Sequence, residues 1–209
     1  MELPKEDNPF LGKRAIRLCF VEKELFLTQL RAALRASAYG PLQIMFPMVG
    51  SLEDIRKAKE YLNLAKEQLK ERKQQFDEQI RIGIMIEIPA IALIADLAAE
   101  EVDFASIGSN DLTQYLSAAD RMNPEVAAYY KSDSTAMLRL LGFVFREFSK
   151  REKEISVCGE MAGNPETAQL LVGLGARKLS MSSGNIAGVK AKLAECTLQE
   201  LTALAEKKL

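Results

Sequence analysis

The sequence predicts an α/β protein built on a parallel sheet. Short apolar runs alternate with longer stretches whose apolar residues recur at helical spacing, and this alternation continues from about residue 42 to the C-terminus. The run Ile80–Ile88 (IRIGIMIEI) is β-branched and nearly all apolar, as strands buried on both faces of a parallel sheet tend to be.

Taken in order, Leu42–Met48 (LQIMFPM) is the first strand candidate and ends before Gly50. Leu52, Ile55, Ala58, Leu62, Ala65, Leu69 and Phe76 then recur at helical spacing among charges, and Ser51 with Asp54 suits an N-cap box. Ile80–Ile88 is the second strand; Pro89 suits a first helical turn, and Ala90–Ala99 reads as helix. Phe104–Gly108 is the third strand, ending in Ser109-Asn110-Asp111, a tripeptide that ordinary turn chemistry accounts for. Ala136–Phe148 reads as helix, Ile155–Cys158 as strand, Pro165–Leu174 as a short helix and Leu179–Met181 as the last strand, with a helical region from about Ile186. Cys19 and Cys196 fall on stretches that read as helical, where a structural role is the simplest one. A closed parallel barrel needs eight strands and typically about 250 residues. Five candidates fit part of such a barrel, or a complete open sheet of the doubly wound kind. Periodicity does not choose between them.

Composition narrows the function more than the fold. A formal charge of −1 offers no basic excess for nucleic acid or an anionic membrane. No apolar run reaches the length of a membrane span, and Met1–Asp7 lacks the apolar core of a signal peptide. Three cysteines without a C-x-x-C pair fit a reducing cytoplasm better than a disulfide framework or a thiolate metal site. The chain has no histidine, which excludes imidazole bases, His-ligated zinc, Ser-His-Asp triads and phosphohistidine formation within it.

Chemistry in parallel α/β folds gathers where strands hand over to helices. Glu87 and Asp111 stand at two such ends and suit one hard cation, since Mg²⁺ takes one or two carboxylates plus waters and substrate oxygens. A helix cap and a lysine partner account for the same two residues more simply, because acidic residues are common at helix starts. Arg14 and Arg121 suit a bidentate phosphate clamp, against two solvated surface arginines. Asn110 suits a donor to a ligand oxygen, against the turn already named. Cys158 suits a proton donor or nucleophile, against a core thiol.

Six segments in fixed order change these odds: NPFLGKRAIR (Asn8–Arg17), IMFPM (Ile44–Met48), IGIMIEIPA (Ile82–Ala90), SIGSNDLTQY (Ser106–Tyr115), ADRMN (Ala119–Asn123) and CGEMAG (Cys158–Gly163). Together they closely resemble the phosphoenolpyruvate-utilising family, and within it Enzyme I of the bacterial sugar phosphotransferase system, from about Asn8 to Met181. The resemblance implies a (β/α)₈ barrel of which residues 1–209 form a partial domain, about the fourth to eighth β/α units. It implies that Glu87 and Asp111 hold Mg²⁺, that Arg14 and Arg121 bind the substrate phosphate, and that Asn110, beside Asp111, contacts phosphoenolpyruvate. Cys158 falls on the acid that protonates the enolate. Further implied are a cytoplasmic homodimer and partners in a phosphohistidine domain and a phosphocarrier protein. Without that histidine the isolated chain is expected to be inactive in the full reaction. Ser182–Gly188 (SSGNIAG) departs from the family pattern at the last barrel loop. Two other readings remain open: a fragment of pyruvate phosphate dikinase or phosphoenolpyruvate synthase, and a non-catalytic binding or dimerisation module.

Overall fold

The computed structural model describes residues 5–209. Met1–Pro4, part of the segment read for a signal peptide, lie outside the described residues. A single turn of 3₁₀ helix, Pro9–Leu11, leads to α1 (Ala15–Val21) and α2 (Lys23–Ser37). Phe26, Leu27, Leu30 and Leu34 recur at helical spacing in α2 and form its buried face. The chain then alternates: β1 (Gln43–Phe46), α3 (Leu52–Glu71), β2 (Arg81–Ile86), α4 (Pro89–Leu93), α5 (Ala95–Glu101) and β3 (Phe104–Gly108). It continues through α6 (Ser109–Ser117), a 3₁₀ segment (Pro124–Tyr129), α7 (Thr135–Lys150), β4 (Glu154–Cys158), α8 (Glu160–Gly163), α9 (Pro165–Leu174), β5 (Leu179–Ser180), α10 (Ser183–Ala194) and α11 (Leu198–Lys208).

The five strands pair in the order β1-β2-β3-β4-β5, every pair parallel. A doubly wound sheet must reverse its strand order somewhere to clothe both faces with helices. This order never reverses. Right-handed crossovers therefore stack the intervening helices on one face, which is the single winding of a barrel. Side chains alternate accordingly. Ile44, Phe46, Ile84, Ile86, Ile107 and Val157 are buried toward the helices. Met45, Met85, Ser106, Ser156 and Cys158 line a cavity of about 630 Å³ on the other face.

The helices are seated by ordinary means. In α7, Met137, Leu138, Leu141, Val144, Phe145 and Phe148 are buried on one stripe, each contributing about 1.5–3 kcal/mol through the hydrophobic effect. The capping box at α3 is present, with Ser51 Oγ accepting the Asp54 N–H at 3.2 Å and Asp54 Oδ2 accepting the Ser51 N–H at 3.2 Å.

The structure corrects several local expectations. Ser109-Asn110-Asp111 is not a turn but the first turn of α6, entered directly from β3. A carboxylate in that turn is favoured by the unpaired helical N–H groups. The expected helix Ala90–Ala99 breaks at Ile94, whose backbone (φ −116°, ψ 34°) leaves the helical region. Phe76 lies beyond the end of α3 and packs against the core from the following loop. The C-terminal helical region is two helices, with Thr197 capping the second, so Cys196 sits in the turn between them rather than on a helix.

Candidate active site

β2, β3 and β4 deliver four of the candidate residues to one edge of the sheet. Glu87 follows β2, Asn110 and Asp111 occupy the first turn of α6, and Cys158 is the last residue of β4. All four lie at the C-terminal ends of parallel strands.

Glu87 is buried, and its Oε1 accepts the Met48 N–H at 2.6 Å. Met48 presents that N–H from the left-handed region (φ 55°), a conformation that costs a non-glycine residue about 1–2 kcal/mol. The paired register of β2 and β3, Ile86 opposite Ile107, brings Glu87 beside Gly108. A Cβ at Gly108 would stand 2.8 Å from Glu87 Oε2, so only glycine leaves room for the carboxylate.

Asp111 is the hub. Its Oδ2 accepts from Arg14 Nη2 at 3.1 Å, and Arg121 Nη1 stands 3.3 Å from Oδ1. Arg14 and Arg121 are only about a third exposed (33% and 28%), which removes the reading of freely solvated arginines. Asp111 and Tyr115 share a face of α6, four residues apart. Tyr115 Oη accepts from Arg14 Nη1 at 3.4 Å and donates to the Phe10 carbonyl.

Ser109 Oγ donates to the Cys158 carbonyl at 2.6 Å, and the Glu160 N–H donates to Asn110 Oδ1 at 3.0 Å. Gly159 (φ +100°) permits this seam: a Cβ there would lie 2.5 Å from Ser109 Oγ and 2.8 Å from Asn110 Oδ1. With Oδ1 taken, the Asn110 amide retains its N–H donors for a ligand. Asn110 lines two adjoining cavities. One, of about 410 Å³, is shared with Arg121 and Tyr130; the other, of about 450 Å³, is shared with Cys158, Ser182 and Asn185. Arg14 lines neither and joins the group through Asp111. Burial pushes the Cys158 thiol up, a Ser106 hydroxyl hydrogen bond partly opposes it, and the charge of Glu87 adds to it. A thiol so placed stays protonated at neutral pH, which suits an acid rather than a nucleophile.

Met48, Gly108 and Tyr115 were not singled out from the sequence, and Glu160 was given no role. Tyr115 carried a usable signal, its i, i+4 spacing from Asp111 within SNDLTQY. The backbone contacts of Met48 and Glu160 had none.

The site has the features of half a cation site. Asp111 Oδ1 is buried without a hydrogen-bond donor, and Glu87 Oε2 occupies the space that Gly108 leaves open. Among the described residues no group of three or more His, Cys, Asp or Glu comes together. A cation here would have two protein carboxylates, and Mg²⁺ accepts that number with water and substrate oxygens completing its shell. The residues fit the metal.

Burial pushes Glu87 up from its ordinary 4.5 to about 7, with the Met48 N–H opposing and the negative charge of Asp111 adding to the rise. Between those two values the folded chain holds a proton that the unfolded chain has lost. Stability should therefore fall by about 3 kcal/mol as pH rises from about 4.5 to about 7, and level off above. Urea melts of the chain and of Glu87→Gln across that range measure this. A Glu87→Gln profile as steep as that of the unaltered chain would assign the dependence elsewhere.

The fold is a singly wound parallel sheet that gathers carboxylates, arginines and a thiol at one edge. Residues 1–198 match the family described as PEP-utilising enzyme, PEP-binding domain, and the chain belongs to that family. It is 47% identical over 207 residues to the phosphoenolpyruvate-protein phosphotransferase of Bacillus subtilis (strain 168), covering 99% of this chain and 36% of that protein. The phosphotransferase of the same name from Listeria monocytogenes is 48% identical, covering 100% of this chain and 36% of its own length. Multiphosphoryl transfer protein 2 of Escherichia coli (strain K12) is 47% identical over 200 residues, covering 96% of this chain and 24% of its own length. The chain thus spans about a third of the phosphotransferases it matches. Among solved structures, a citrate lyase from Burkholderia xenovorans LB400 superposes with a TM-score of 0.58 at 14% identity, covering 87% of this chain and 60% of that one. That likeness speaks to fold alone. The fold is of the (β/α)₈-barrel type, here an open set of five strands. No helix among the described residues is long and apolar enough to cross a membrane.

Proposed function

We propose that this chain is the phosphoenolpyruvate- and Mg²⁺-binding domain of a phosphoenolpyruvate-protein phosphotransferase, a single unit over residues 1–209 corresponding to the fourth to eighth β/α units of the barrel. The observation that carries the reading is Asp111, held between two arginines with one buried oxygen lacking a donor. Arg14 and Arg121 bind the phosphate of phosphoenolpyruvate, and the Asn110 amide donates to an oxygen of the same ligand. Glu87 and Asp111 hold the metal, which when bound neutralises negative charge on the ligand's oxygens and so eases departure of the phosphoryl group.

The phosphoryl group passes to a histidine that this chain does not contain, and from it to a phosphocarrier protein serving sugar uptake. The P–O bond to the enol oxygen breaks, and its electron pair stays on that oxygen, so that the pyruvate fragment is left as its enolate. The Cys158 thiol gives its proton to the methylene carbon, yielding pyruvate and a thiolate that solvent reprotonates. The three free cysteines agree with a reducing cytoplasm. Pairing of two chains through this domain belongs to the same reading.

Isothermal titration of the chain with phosphoenolpyruvate tests the binding part. Binding is expected with Mg²⁺ present and at least tenfold weaker without it. No binding in either condition would overturn the assignment.

A further inference from the structure

The segment NPFLGKRAIR contributes more to the site than Arg14. The Phe10 ring lies 5.7 Å from the Arg14 guanidinium carbon and 5.4 Å from that of Arg121. Both distances are within reach of a cation–π attraction. The same two guanidiniums meet the two oxygens of Asp111, at 3.1 Å and 3.3 Å. One aromatic ring and one carboxylate therefore hold two like charges together, although they repel each other and come from segments more than a hundred residues apart.

The ring is itself fixed in place. Pro9–Leu11 is a 3₁₀ turn, and the Phe10 carbonyl accepts the Tyr115 hydroxyl from the helix that carries Asp111. Arg17 Nη1 donates to the Leu11 and Gly12 carbonyls at 3.0 Å and 3.3 Å, closing the turn on its other side. Beside the ring is a cavity of about 330 Å³ lined by Asn8, Leu11, Gln114, Tyr115 and Ala119. Packing around the ring is thus incomplete, and its hold comes from the two arginines and the Tyr115 latch.

A cation–π contact differs from an ion pair in what happens when an anion arrives. The phosphate competes with Asp111 for the guanidinium N–H groups, which lie in the guanidinium plane. The ring meets the guanidinium through its π face and leaves those N–H groups free. It can keep holding both arginines while their carboxylate partner exchanges for a metal, so that the phosphate meets an assembled clamp.

We propose that Phe10 is a positioning residue that presents Arg14 and Arg121 side by side to a single phosphate. The assignment rests on the phosphate role given to these arginines above.

Two variants and a spectroscopic reading test it in the 209-residue chain. With Mg²⁺ present, Phe10→Leu should weaken phosphoenolpyruvate binding about tenfold, the order expected for losing two such contacts. Phe10→Trp should restore most of the loss. In the ligand-free chain, ring currents should move the Arg14 and Arg121 Hε resonances upfield, and both shifts should vanish in Phe10→Leu. Substituting fluorinated phenylalanines at position 10 should weaken binding progressively as fluorine count rises, because each fluorine drains the π face without changing packing appreciably. If the unaltered chain binds and Phe10→Leu binds equally well, or if the fluorine series is flat, the positioning role is overturned while the phosphate site stands. If the unaltered chain does not bind phosphoenolpyruvate at all, the failure lies with the proposed function.

Discussion

Replacing Asp111 by alanine is expected to abolish the Mg²⁺ dependence of phosphoenolpyruvate binding, lowering affinity in the presence of metal by at least about a hundredfold. The side chain serves two partners in turn. In the ligand-free site its oxygens face Arg14 and Arg121, and under the proposed function it surrenders them to the phosphate and takes the metal. Removing it should therefore act in opposite directions on two ligands. With Mg²⁺ absent, inorganic phosphate should bind the variant more tightly than the unaltered chain, because the arginines no longer have an internal competitor. A purely structural Asp111 would lower both affinities together. Folding should survive the change: breaking a buried pair costs about 3–5 kcal/mol, but both arginines are partly solvated, and screening reduces this to about 1–2 kcal/mol. Asp111→Asn keeps the volume and should reproduce the loss of metal dependence. Calorimetric titrations of both variants that retain the Mg²⁺ enhancement would remove Asp111 from the metal site.

The strands were legible because each is a short apolar run bounded by residues that stop it. Phe104–Gly108 has the bounds expected for it, and Pro165–Leu174 likewise for its helix. The winding was not legible from periodicity, and only the resemblance implied it. It depends on which strand pairs with which, and only the unreversed order β1 to β5 separates a barrel from a doubly wound sheet. Ser109-Asn110-Asp111 shows how local chemistry misleads. Its polar side chains suit a turn, yet Ser109 and Asn110 spend their hydrogen bonds across the sheet edge on the β4 end, which frees the backbone to enter α6 at once.

The candidate residues were legible one at a time, and their arrangement was not. Arg14 meets Asp111 across 97 residues and Tyr115 across 101, and Tyr115 reaches Phe10 across 105. No periodicity links such distances. Glu87 gives no sequence sign that its carboxyl is pushed up, since the cause is burial beside Gly108, which outweighs the opposing Met48 N–H. Resemblance carried roles to Arg14, Glu87, Asn110, Asp111, Arg121 and Cys158 position by position. It left out Phe10 and Tyr115, which act through the arginines.

Cys158→Ala is expected to suppress proton exchange at the methyl group of pyruvate by about a hundredfold to ten-thousandfold, the usual range for a positioned general acid or base. The protein for this experiment is a chimera in which the chain replaces its counterpart in the Bacillus subtilis phosphotransferase, with which it shares 47% identity. The chain by itself should exchange slowly. Its sheet is open along β1 and β5, and a misplacement of about an ångström at the site can cost about a hundredfold in rate. Exchange isolates the proton step because it needs no phosphoryl acceptor: the thiolate takes a methyl proton and returns a deuteron from solvent. Cys158 is suited to that shuttle. Burial keeps it a thiol, Ser106 steadies the thiolate when it forms, and Sγ, which lines the cavity on the open face of the sheet, lies 3.3 Å from the Ile107 carbonyl. The loss should be selective. Alanine removes one half-buried sulfur, so Mg²⁺ and pyruvate should still bind within a few-fold of the unaltered chimera. Cys158→Ser, whose hydroxyl is a far weaker acid, should exchange as poorly as alanine despite preserving shape and polarity. Deuterium incorporation followed by NMR measures all three proteins. A Cys158→Ala chimera that exchanges as fast as its parent would return Cys158 to the role of a packing residue.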